Sequence, residues 1–142
     1  MSALPQIEKV LLLRGATLFS HCNAEAVVRI ASIAVERRFA PGDDIYAVGD
    51  AADALYFVVS GNVVVEPSDD GTRSLGPRDT FGVQEILSGR LRGARARATE
   101  PTVTLAIEAD DFFDLLSHDI EIVKALFREV LAERGSRNGG SP

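Results

Sequence analysis

The 142-residue chain holds one cysteine, two histidines, one methionine, two tyrosines and no tryptophan. Each shortage excludes something. The single cysteine, Cys22, cannot form an internal disulfide, and it suits a reducing, cytoplasmic compartment. A β-rich metal enzyme of the cupin type needs two or three histidines on adjacent strands together with a carboxylate. His21 and His118 both fall in or beside segments of helical spacing. No apolar run approaches the roughly 18 residues of a membrane span. The amino-terminal MSALPQIEKVLLLRG has an apolar patch of only four residues with an acid ahead of it, so no signal peptide is expected. Positive charge is also in short supply. Fifteen lysines and arginines face 21 acids, a net charge of −6, which argues against nucleic-acid binding, because phosphate neutralisation supplies most of that affinity. A P-loop, a dinucleotide fingerprint and a nucleophile elbow are likewise missing.

What remains is the composition of one soluble globular domain, 46% apolar and 25% charged. Residues 1–135 are expected to form it, with 136–142 as a disordered, low-complexity tail. The start reads as helical. Apolar residues at 7, 10, 11 and 13 predict a helix over Ile7–Arg14, broken by Gly15. Ala26, Val27, Ile30 and Ile33 predict a second over Asn23–Ile33, with Asn23 as its N-cap and Glu25 in its first turn. After Pro41-Gly42 the period shortens. Runs at Asp44–Val48, Ala54–Ser60, Asn62–Glu66, Arg73–Leu75, Arg92–Ala98 and Thr102–Glu108 predict short strands separated by turn residues, Asp69-Asp70-Gly71 being a hairpin turn. Close spacing of this kind indicates a sandwich or roll rather than a parallel sheet. Helical spacing returns at Ala109–Ser117, whose Asp110-Asp111 reads as a cap and dipole partner, and at Asp119–Arg134. There Ile120, Val123, Leu126, Phe127, Val130 and Leu131 are assigned to one apolar face. The predicted fold is therefore α+β, an antiparallel, jelly-roll-like β-roll flanked by N-terminal and C-terminal helices.

One stretch stands apart. Phe81–Ala98, FGVQEILSGRLRGARARA, places Arg90, Arg92, Arg95 and Arg97 within eight positions of an acidic chain. A local cationic site beside free backbone N–H groups suits a small anion. Charge runs are more often solvated and paired with nearby carboxylates, and Gly82 alone would read as a turn glycine.

Three separated marks, in order and at matching spacing, change the weight of that stretch. They are Phe39-Ala40-Pro41-Gly42 with Ile45, then Gly49-Asp50 followed by Leu55-Tyr56-Phe57-Val58-Val59-Ser60-Gly61, then Phe81-Gly82 through Arg92-Gly93-Ala94. Together, over about Leu12 to Arg134, the chain resembles the cyclic nucleotide-binding domain, the family of the bacterial catabolite activator and the regulatory subunit of protein kinase A. The last mark is similar to that family's phosphate-binding cassette. The resemblance implies a ligand site at Phe81, Gly82, Val83, Gln84, Arg92, Gly93, Ala94 and Arg95. Arg92 would meet the cyclic phosphate, and the backbone of Gly82, Gly93 and Ala94 would approach it closely. No metal or cofactor is implied beyond a ligand such as cAMP or cGMP.

The chain departs from the pattern at three positions, one of them Leu91 in place of the family's proline before the arginine. Val83 replaces the family's glutamate, so the acceptor for the ribose 2′-hydroxyl is missing, and neither Gln84 nor Glu85 shares its direction on a helical turn of about 100° per residue. Arg95 replaces a small hydroxyl residue and would either strengthen anion binding or fill the pocket. The function expected is a non-catalytic cytoplasmic sensor of a cyclic nucleotide or another small phosphorylated anion, signalling through its last helix. Its output would lie on a protein domain outside this chain or in a homodimer formed by that helix, with no nucleic acid or membrane partner. The rival reading is a degenerate, non-binding domain of the same fold that serves interaction or assembly.

Overall fold

The structure is a computed structural model that describes residues 4–66 and 71–139, with the side chains of 130 and 133–139 left aside. Its eight strands form two four-stranded antiparallel sheets. One sheet has the order β1 (Ala34–Phe39), β8 (Thr102–Glu108), β3 (Ala54–Ser60), β6 (Thr80–Phe81). The other has the order β2 (Asp44–Tyr46), β7 (Arg95–Ala98), β4 (Val63–Glu66), β5 (Arg73–Leu75). The predicted β-roll with helices at both ends is thus the fold observed. Asp69 and Asp70 of the expected hairpin turn lie outside the described residues.

The alternation of β3 explains how one sheet serves two cores. Ala54, Tyr56 and Val58 face the inside of the roll, where they meet Tyr46, Val63, Leu75, Phe81, Ala96 and Ala106. Leu55 and Phe57 face the other way and pack with Leu105 and Ile107 against the helices. Period-two alternation sends neighbouring side chains to opposite faces, so a strand buried on both faces reads as the nearly continuous apolar run LYFVV.

Helices α1 (Gln6–Leu13) and α2 (Ala24–Ile33) come first, with a 3-10 turn at Thr17–Phe19 between them. Asn23 caps α2 as predicted, its side chain accepting the Ala26 N–H at 2.8 Å. The short α3 (Val83–Ser88) sits on the connection from β6 to β7. Two helices close the chain, α4 (Ala109–His118) and α5 (Ile120–Gly139). Asp110 and Asp111 occupy the first turn of α4, where they favour the helix dipole, but the N-cap position belongs to Glu108, which makes no side-chain cap bond. Asp119 is the junction between the two helices and accepts the N–H groups of Glu121 and Ile122.

Four expectations need correction. Ala34–Phe39 was not anticipated as a strand; it follows Ile33 without a turn residue and pairs along its whole length with β8. The strand expected at Arg92–Ala98 begins only at Arg95, because Arg92 is drawn inward by a side-chain network. The last helix runs to Gly139, past the end expected at Arg134. Finally, the apolar residues of α5 do not share a face. Ile122, Ala125 and Leu126 are buried, whereas Phe127 and Leu131 are 64% and 59% exposed.

Candidate ligand-binding site

A cavity of about 710 Å³ opens between the roll, α3 and α5. Its floor is the Phe81–Glu85 stretch with Tyr46, Leu75 and Ala94, and its far side is formed by Glu129 and Ala132 of α5. The volume falls within the ~300–1,000 Å³ typical of small-molecule sites.

Gly82 sets the turn from β6 into α3. Its φ of +89° lies in the left-handed region that glycine tolerates. A Cβ there would stand 3.1 Å from Nη1 of Arg92 and 3.3 Å from the Ala54 carbonyl. The left-handed backbone and the close approach of Arg92 and Ala54 both favour glycine at this position.

Arg92 lies buried behind the cassette end of the cavity rather than on its lining. Its backbone is fixed against the β2–β3 connection, with its carbonyl accepting the Gly49 N–H at 2.8 Å and its own N–H donating to Asp50 at 2.9 Å. The side chain points inward and is 0% exposed. Nη1 donates to the Gly82 carbonyl at 2.7 Å and to the Glu85 carboxylate at 2.8 Å. Nη2 donates to the Ala54 carbonyl. The guanidinium carbon lies 4.1 Å from the centroid of the Tyr46 ring, a cation–π arrangement. Nε is buried without a partner. Burial, opposed only in part by the nearby Arg92 charge, pushes the Tyr46 hydroxyl up to about 12.

Of the residues singled out from the sequence, Phe81, Gly82, Val83, Gln84 and Ala94 line the cavity. Arg92 lies directly behind Gly82, and Gly93 is exposed on the surface. Val83 also packs against the helical core, which accounts for an apolar side chain there. Arg95 is placed elsewhere. It alternates with the buried Ala96, points away from the interior and pairs with Asp44 at 2.6 Å. Arg97 pairs in the same manner with Glu66 at 2.9 Å, and Arg90 reaches only Ser88. The four arginines of the cluster do not form one cationic site.

Sequence reasoning missed several cavity residues. Arg73 and Arg78 both line it, and neither makes an ion pair among the described residues. Nothing in their spacing linked them to the cassette. Glu129 accepts the Ser20 hydroxyl at 3.0 Å and lies 3.4 Å from His21, tying α5 to the first connection. Glu85 was read only as a failed substitute for a ribose acceptor. Its opposite charge, in the first turn of α3 and seven residues ahead of Arg92, was the available signal for the pairing.

The comparisons bear on this geometry. The family model for the cyclic nucleotide-binding domain matches residues 36–119. This chain belongs to that family. Within it, the chain is 32% identical over 127 residues to the cyclic AMP receptor protein of Thermus thermophilus, covering 86% of this chain and 58% of that one. It is 29% identical over 125 residues to a cyclic nucleotide-gated potassium channel of Mesorhizobium japonicum, covering 88% of this chain and 35% of the channel. The chain thus spans about a third of the length of that channel. Among solved structures, the regulatory subunit of a cAMP-independent protein kinase A from Trypanosoma brucei superposes with a TM-score of 0.73 at 24% identity, over 87% of this chain and 46% of that one. That form is bound to cAMP and carries glutamate-to-alanine, threonine-to-arginine and valine-to-alanine substitutions, the first seven residues ahead of the second. These matches are with regulators and a gated channel. Among the described residues, no helix is long and apolar enough to cross a membrane.

Proposed function

We propose that this chain is a regulatory, non-catalytic module in which a small anionic ligand enters the cavity and α5 carries the signal outward. The observation that carries this reading is that one cavity is bounded both by the cassette, through Gly82–Glu85, and by α5, through Glu129 and Ala132. An occupant would touch both. Arg73 and Arg78, lining the cavity without ion pairs among the described residues, supply donors for an anion beside the lining carboxylates Asp79, Glu85 and Glu129. A ligand that binds one position of α5 better than another shifts the balance between them by its difference in affinity, a tenfold ratio corresponding to about 1.4 kcal/mol. The outer face of α5, with Ile120, Phe127 and Leu131 exposed, supplies a surface for the output partner, and a second copy of the chain is one such partner. cAMP and cGMP are the ligands to test first, given the family to which the chain belongs.

A second reading, a nucleotide-independent module, is favoured by the Glu85–Arg92 pair and by Val83. In the cAMP-bound trypanosomal subunit a glutamate has been removed seven residues ahead of an introduced arginine. Glu85 stands seven residues ahead of Arg92. Calorimetry with cAMP and cGMP, paired with hydrogen exchange of α5 amides, tests both readings. Binding accompanied by altered α5 protection is the expected result for a sensor. Binding that leaves α5 unchanged overturns signalling through that helix. Absence of binding by either nucleotide at millimolar concentration favours the second reading.

A further inference from the structure

We infer that Glu85 is the specificity-determining residue of this cavity, a resident counter-ion that occupies Arg92 and weakens the binding of cyclic phosphates. The inference rests on the reading that ligands enter this cavity. A guanidinium has five N–H donors. In Arg92 both Nη1 donors are used, by Gly82 and Glu85, and one Nη2 donor is used by Ala54. Tyr46 covers a face of the group. Of the two donors left, the Nε–H is fully buried, and Arg92 stands behind Gly82 while Glu85 stands on the cavity lining, so a phosphate in the cavity reaches the paired donors that make an arginine a strong anion ligand only if an acceptor on that side leaves.

The three acceptors differ in their freedom to leave. The Gly82 and Ala54 carbonyls belong to the backbone at the β6–α3 turn and the start of β3. Glu85 is a side chain on the cavity wall, 28% exposed, with open space beside it. Arg92 is itself fixed at its backbone by Gly49 and Asp50. The exchange required for phosphate binding is therefore the departure of Glu85. After that exchange two negative groups stand close together in a partly desolvated cavity, and their repulsion opposes binding. A ligand without a phosphate at this point avoids the exchange.

The test compares cAMP and cGMP affinities of the full chain, Glu85→Ala, Glu85→Gln and the double variant Glu85→Ala/Arg92→Ala by calorimetry. Glu85→Ala is expected to bind at least tenfold more tightly than the unsubstituted chain. Glu85→Gln, which keeps the size and removes the charge, is expected to gain part of this and guards against a folding failure of the alanine variant. The double variant is expected to lose the gain, showing that it runs through Arg92. Unchanged or weaker binding in both folded single variants, including no binding by any variant, overturns the inference and leaves Glu85 as a purely structural ion pair. Hydrogen exchange of α5 separates the two readings. A gain in affinity without a change in α5 upholds Glu85 and rejects signalling through α5. Ligand-dependent α5 exchange in the unsubstituted chain, with no gain from Glu85→Ala, does the reverse.

Discussion

At the residue scale the aromatic wall behind Arg92 gives the site a distinct alkaline signature. Tyr46 and Tyr56 are the only tyrosines of the chain, and both lie inside the roll with Phe81, whose ring stacks on Tyr56 at 5.2 Å. Burial raises the ionisation of both, that of Tyr46 to about 12. An unfolded tyrosine ionises near 10. Below pH ~10 both the folded and unfolded chains keep the Tyr46 proton and stability is unaffected. Between ~10 and ~12 the unfolded chain loses it first, so stability falls with rising pH, by at most about 3 kcal/mol from this residue. Ultraviolet titration should therefore show neither tyrosine half-ionised at pH 10 while circular dichroism still reports the folded chain. A tyrosine that titrates at its ordinary value in the folded chain would contradict the burial of the wall. The arginine cluster teaches a related lesson. Four similar side chains within eight positions met three different environments, because strand alternation turned Arg95 and Arg97 outward to carboxylates, Arg90 stayed beside Ser88, and the turn after Gly89 carried Arg92 inward.

At the scale of elements, what was legible in the sequence depended on whether local signals agreed with packing. Asn23, with Glu25 behind it, placed the start of α2 because an N-cap is a local bond. Gly82 and Gly89 bracket α3 in left-handed backbone, but only Gly82 was marked in the sequence, through the cassette pattern. β1 was hidden because Glu36, Arg37 and Arg38 interrupt its alternation and because no turn separates it from α2. β6 was too short, at two residues, to carry any period. In α5 the error had a different cause. At about 100° per residue, Ile120, Phe127 and Leu131 fall on the side opposite Ile122, Ala125 and Leu126. The helix has two apolar faces, and summing them into one obscured which is packed. The described domain buries the Ile122 face, and bonds from Arg29 to Asp119 and from Ser20 to Glu129 fasten the same side. Ile122→Ala is therefore expected to destabilise the domain by about 2–5 kcal/mol. Leu131→Ala should change it by no more than ~0.5 kcal/mol in dilute solution. Denaturant titration measures both. A larger loss from Leu131→Ala that grows with protein concentration would identify the outer face as a contact between copies.

At the scale of the whole molecule, two cores share one sheet. The roll interior and the helical core are separated by β3 and β8, whose alternate residues belong to different sides: Tyr56 and Ala106 to one, Phe57, Leu105 and Ile107 to the other. Neither core is complete without these strands. Loosening the helical face of β3 releases the backbone that also holds the roll, so the two halves should unfold together, as small single domains do. Independent probes exist for each half. Emission from Tyr46 and Tyr56 reports the roll interior, while far-ultraviolet circular dichroism is dominated by the helices. We expect the two transitions to coincide in denaturant for the unsubstituted chain. Phe57→Ala removes a 1% exposed ring from the helical side, at a cost of about 3–5 kcal/mol. Its tyrosine transition should move to lower denaturant by the same amount as its helical transition, although neither tyrosine belongs to the core that was cut. If the helical signal shifts alone, the sheet transmits no cooperativity. The signal proposed to pass between the cavity and α5 would then have to travel through the direct contacts of Glu129 and Ala132 without help from the shared sheet.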